Sequence, residues 1–298
     1  MKNKTITRRT LLKKSALAAI GSSLFLNSPL RVFASGKQAA LTKVVLIRDK
    51  DVIKEGAADK EILNRMIDEA VIELTGVGSA SEAWKKILKP DDILGIKTNE
   101  WSNLRTPPEL EEILRSKALE VGIKPENLSV DDRGIRTDSV FQNSTALINV
   151  RPMRTHAWSG VGSLMKNYIM FLDQPSSIHP DSCADLATLY MLPETKGKTR
   201  LNILVMLTPL FHGIGPHHFN KQYTWEYNGL LAGFDPVAVD SVGLRIIQAK
   251  RLAYFGEDMP LNPPAKHIML ADTRHHLGTA DPEKINLVKL GWNEDLLI

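Results

Sequence analysis

His156 closes an apolar stretch and stands just before the glycine-rich run "SGVGS" (159–163), with Lys166 and Asn167 ending the segment. Glycines let backbone N–H groups approach a ligand closely, and a helix opening there would favour an anion. Lysine adds a point charge, and asparagine adds a donor and an acceptor. Together these types suit a bound carboxylate or phosphate, with His156 as acid, base or ligand. The bland alternative is a solvated turn. A second group, His179, Asp181 and Cys183 in "HPDSC", contains three metal-binding residue types at alternate positions. In an extended segment they would point the same way, and His156, His212 or His217 would supply a further ligand for a divalent metal. Here the alternative is a surface loop around a buried free thiol.

The elements that must position these groups are legible in the hydrophobic pattern. Short β-branched runs at 43–49, 93–99, 127–132, 146–152 and 200–207 predict strands. Helical spacing at 60–76 ends at Gly76, and 106–122 opens on Thr106 and prolines and ends at Gly122. A third helix is predicted over 235–251, with Asp235 as N-cap and Pro236 next. Alternating strands and helices predict an α/β fold: a mainly parallel sheet flanked by helices, in a single large domain with a long irregular loop region between 153 and 235. Ligands in such sheets sit beyond the carboxyl ends of strands. That rule marks Lys97, Asn99, Asp132, Arg133 and Arg154 as binding candidates beside Asn167. Asp240 lies in the apolar run "VAVDSVGL", so as a buried acid it needs a cationic or metal partner, which makes it a catalytic candidate with His156 and Lys166. No P-loop and no GxSxG nucleophile elbow is present.

Charge depends on the first residues. Residues 1–34 carry seven basic side chains and no acidic one, so the chain's 38 basic and 34 acidic residues leave 31 against 34 beyond residue 34. The basic balance therefore belongs to that segment, and a nucleic-acid role loses its electrostatic footprint. "TRRTLLK" (7–13), the mildly apolar "SALAAIGSSLFL" (15–26) and Val32-Phe33-Ala34 resemble a twin-arginine signal peptide over 1–34. The apolar run is too short for a permanent membrane span. The expectation is a protein exported folded by the twin-arginine translocase to the periplasm or another extracytoplasmic space. Cys183 is the single cysteine, so no internal disulfide forms and this chain alone holds no iron–sulfur cluster.

"GIKTN" (95–99), "SVDDR" (129–133), "THAWSGVGSLMKN" (155–167), "DPVAVD" (235–240) and the closing "HHLGTADPEKINLVKLGW" (275–292) occur in an order that resembles the domain of unknown function 362 family, in its exported members, over residues 43–292. The resemblance implies an α/β domain of undetermined chemistry. Some relatives carry ferredoxin-like cysteine motifs, which implies a redox partner. Two positions depart from the family: Val205, where relatives often place an aspartate, and Arg154, where lysine is commoner. The expected function is an enzyme acting on a small anionic substrate, with a divalent metal as one option. The alternative is a non-enzymatic periplasmic binding protein or an accessory factor for a redox complex.

Overall fold

Apolar strands with little alternation are buried on both faces, and this sheet places one core on each. In the first strand, Val44 and Leu46 enter one core while Val45 and Ile47 enter the other. The computed structural model describes residues 40–213, 215 and 218–298, of which 41–298 form one compact unit. The expected signal peptide and His217 lie outside the described residues.

The strands are β1 (Thr42–Arg48), a small β2–β3 pair (Ile53–Lys54, Ala57–Ala58), β4 (Leu94–Lys97), β5 (Leu128–Asp131), β6 (Ala146–His156), β7 (Gly160–Gly162), β8 (Thr199–Leu210), β9 (Gly229–Gly233) and β10 (Ile285–Gly291). The main sheet runs β10-β1-β9-β8-β6-β4-β5, with β7 on β6. Pairs β1/β10, β4/β5, β4/β6 and β6/β8 are parallel; β9 is antiparallel to both its neighbours. The sheet is thus mostly parallel and flanked by helices, as the sequence pattern implies.

One core packs under α1 (Lys60–Thr75), α2 (Ala80–Ile87) and α3 (Pro108–Val121). The other lies under the short α4 (Ser139–Gln142) and α5 (Leu164–Asn167), the turns of 168–192, α6 (Pro236–Phe255) and α7 (Lys266–Thr273). The boundary chemistry is largely as expected. Asp235 accepts from Val237 and Ala238 N–H at the start of α6, and Gly76 and Gly122 close α1 and α3 in the left-handed region. Thr106 is not the cap of α3. Pro107 takes that place, while the Thr106 hydroxyl accepts from Asn99 N–H at 3.0 Å and pins the loop after β4.

The connectivity positions the site. From β4 the chain crosses to β5 on one side, then returns to β6 on the other side of β4. The β4/β6 boundary is therefore a topological switch point, where loops diverge and leave a crevice.

Candidate functional site

Strand β6 builds the floor of that crevice. All its eleven residues are buried, among them Asn149, Arg151, Arg154 and His156. Strict alternation would send Arg151 and Arg154 to opposite faces. The register against β8 breaks between Pro152 and Arg154, and a proline cannot donate to the ladder. The break shifts the phase, so Arg151, Arg154 and His156 all line one cavity of about 330 Å³, together with Asn99, Trp101, Asp132, Trp158, Lys166, Asn167 and His179. Arg133 is exposed at its rim. The glycine run has a steric role. Gly160 turns the chain at φ 72°, and a Cβ on Gly162 would come within 3.0 Å of Arg151 Nη2 and 3.1 Å of His156 Cδ2.

The expected anion-holding groups converge. Lys97 Nζ donates to Asp132 Oδ1 at 2.5 Å and to Thr98 O at 2.7 Å, and Asp132 Oδ2 accepts from Glu100 N–H at 2.9 Å. Asn167 Nδ2 lies 2.8 Å from Asn149 Oδ1 and 3.1 Å from the carbonyls of Lys97 and Val150, which ties α5 to β4 and β6. Arg154 Nη1 donates to Asn99 Oδ1 at 2.9 Å and its guanidinium stacks 4.5 Å above Trp101. Arg151 was not among the sequence candidates, and it is the most informative group. It is 4 % exposed, its Nε is unbonded, and no hydrogen bond or ion pair holds it among the described residues.

Charge in this region is unbalanced. Among the described residues, Lys97 (0 % exposed), Arg151 (4 %), Arg154 (3 %) and Lys166 (3 %) face two buried carboxylates, Asp132 (3 %) and Asp240 (0 %). Burial pushes Lys97 and Lys166 down to about 8 and Arg151 to about 10. His156 is driven far below the usual imidazole range, first by burial and then by Lys166, Arg151 and Arg154. Its Nδ1 accepts from Trp158 N–H at 3.2 Å, so the neutral ring carries its proton on Nε2.

Asp240 lies behind the cavity. It accepts from Ser163 Oγ at 2.7 Å, Leu164 N–H at 2.9 Å and Met165 N–H at 3.0 Å. Among the described residues no lysine bonds it, and Arg151 is the cation whose charge favours its ionised form. The first amides of α5, expected to greet an anion, are consumed by this carboxylate instead. Burial raises Asp240 to about 6 against those bonds.

The metal set does not assemble. Asp181, Ser182 and Cys183 take φ of 53°, 56° and 60°, three successive left-handed residues, so the alternation of an extended segment is absent. Asp181 pairs with Lys266, His179 stacks on Trp158 at 4.3 Å, and Cys183 Sγ lies 3.4 Å from Lys166 Nζ. His212 sits elsewhere, 3.1 Å from Arg251. Among the described residues no group of three or more His, Cys, Asp or Glu could hold a metal ion. Val205 lines a second cavity with Pro152 and Leu207, so the departure there leaves the cationic pocket unchanged.

His267 is fully buried on α7, near Lys166 and Arg151, with both ring nitrogens unbonded. An unsatisfied buried polar group costs about 1–3 kcal/mol. Replacing His267 with leucine is therefore expected to raise the melting temperature by several degrees in a calorimetric scan. A drop would mean that the imidazole has a structural role.

The fold and pocket define an α/β protein with a buried cationic crevice at a switch point of a mixed sheet. Residues 123–245 match the model of the family described as Domain of unknown function (DUF362), which supports the resemblance and spans β5 through the first half of α6. No curated protein and no solved structure matches the chain. Among the described residues no helix is long and apolar enough to cross a membrane.

Proposed function

We propose that the protein is an exported enzyme acting on a small anion of the carboxylate or phosphate class. In this reading the Arg8–Arg9 signal sends the folded chain to the periplasm through the twin-arginine translocase. One observation carries the substrate class: among the described residues Arg151 is a buried guanidinium with no hydrogen bond or ion pair, and around the crevice four buried cations are offset by two buried carboxylates, Asp132 and Asp240. A charge left this way is costly to bury, and an anionic ligand removes the cost. Arg151 and Arg154 would hold the anion, with Arg133 at the rim. Neutral His156 would donate from Nε2 rather than act as a base. Lys166 is the cavity-facing amine able to act on a substrate.

The binding-protein reading is favoured by a different observation. The cavity's one lining carboxylate, Asp132, already serves Lys97 and the Glu100 amide, so no carboxylate is free as a general base.

In both readings the guanidiniums hold the anion, and the charged forms of Lys97 and Lys166 strengthen its binding. Lys97 and Lys166 lose their protons as pH rises through about 8, so anion affinity is expected to fall there. Sulfate does not itself titrate in this range. Calorimetric titration of sulfate into the full chain should give binding at pH 7 that is at least about tenfold weaker at pH 9.5, the equivalent of one lost charge-assisted bond. Absence of sulfate binding at both pH values would refute the anion pocket.

A further inference from the structure

Lys97 and Lys166 are chemically different lysines. Lys97 is bonded to a carboxylate and a carbonyl, and it does not line the cavity. Lys166 lines the cavity, is 3 % exposed and has no carboxylate partner among the described residues. Among the described residues its side-chain hydrogen bond is a long one, to Cys183 Sγ at 3.4 Å. The thiol in turn donates to Trp158 O at 3.6 Å. Burial keeps this thiol protonated, so it does not form a thiolate–ammonium pair that would hold Lys166 charged. The three left-handed residues ending at Cys183 hold it there at a conformational cost, a pattern that clusters at functional sites.

We infer that Lys166 is a Schiff-base lysine for a small 2-oxo acid, whose carboxylate rests on Arg151 and Arg154. The inference rests on the anion-pocket reading and deepens it. The free amine of Lys166 attacks the carbonyl carbon to give a carbinolamine. The carbonyl oxygen then leaves as water with the two amine hydrogens, and a carbon–nitrogen double bond remains. The site meets both demands of that step. Two guanidiniums attract the substrate's carboxylate and also disfavour the ammonium form of the lysine. Of the titratable groups around Lys166, Arg151 and Arg154 lower it further and the Cys183 thiol partly offsets them, while His156, His179 and His267 carry no negative charge. A lysine lowered from 10.5 to about 8 holds on the order of a hundredfold more free amine at neutral pH than a surface lysine. The cavity, about 330 Å³, is at the small end for ligand sites and suits a short oxo acid.

The test is reductive trapping. The full chain is incubated with pyruvate or 2-oxoglutarate and sodium cyanoborohydride, then digested and mapped by mass spectrometry. The expected result is a reduced adduct on Lys166, formed at least about tenfold faster than on any other lysine, as its larger free-amine fraction requires. Acetone, which lacks the carboxylate, should not label it preferentially. Lys166→Arg should lose the adduct; if that variant does not fold, the wild-type peptide map decides alone. Sulfate binding without preferential labelling of Lys166 overturns the Schiff-base inference and leaves the anion pocket standing. Failure of both sulfate binding and labelling removes the two together.

Discussion

Replacing Arg151 with methionine is expected to stabilise the ligand-free protein and to weaken anion binding about a hundredfold. The two effects have the same cause. Arg151 is 4 % exposed and without a hydrogen-bond or ion-pair partner among the described residues, so its charge is carried at a cost. Asp132 and Asp240 offset that charge only from a distance, and exchanging such buried charge for an apolar side chain of similar volume gains about 1–4 kcal/mol. The neighbours tolerate the exchange. Asp132 keeps Lys97 and the Glu100 amide, and Asp240 keeps its three donors. Gly162 leaves an open face against which methionine can lie. Binding moves the other way. A bidentate guanidinium contributes charge-assisted bonds worth about 1.5–3 kcal/mol each, so sulfate affinity should fall about a hundredfold. Chemical denaturation and calorimetric titration measure the two quantities on the same sample. A destabilised variant that still binds sulfate would make Arg151 a structural residue and remove the argument for an anion pocket.

The crevice was largely legible because a single rule, inspecting the polar residues that follow apolar strands, found Lys97, Asn99, Asp132, Arg133, Arg154 and His156. These groups come together because β4, β5 and β6 are parallel and end at the same edge. Whereas Arg154 and His156 follow the predicted strand 146–152, although β6 runs on to His156, Arg151 falls inside that span and so escaped the rule. Its signal was an arginine beside Pro152 in the otherwise apolar run "INVRPM". What it does there depends on the register break against β8, a long-range property no local pattern encodes. The same limit explains β9 and β10. "GLLAG" is too glycine-rich to read as a strand, and "INLVKLG" finds its place only by pairing with β1, far away in sequence. The expected metal site failed for the opposite reason. The spacing in "HPDSC" was read on an extended backbone, and three left-handed residues rotate the side chains apart.

Asp240→Ala is expected to be the most damaging substitution among the residues around the crevice. The carboxylate is fully buried and takes the Ser163 hydroxyl and the first two amides of α5. Alanine leaves those amides buried without acceptors and opens a gap, at a cost of about 3–5 kcal/mol. The melting temperature should fall by about 10 °C for a domain of this size. Helix α5 carries Lys166 and Asn167, so the folded fraction of the variant should also lose sulfate binding although no residue touching the anion has changed. The pH dependence has a definite direction. Asp240 titrates near 6 in the folded protein against an ordinary value of 3.8, so the folded state takes up the proton first. Its stabilising contribution is therefore complete below the unfolded value and is lost as pH rises through about 6. The stability gap between the native chain and Asp240→Ala should narrow as the pH is raised from 4 to 7. A gap that widened over that interval would mean that Asp240 is held ionised by a stronger partner, and that its first task is charge compensation for Arg151 rather than capping α5.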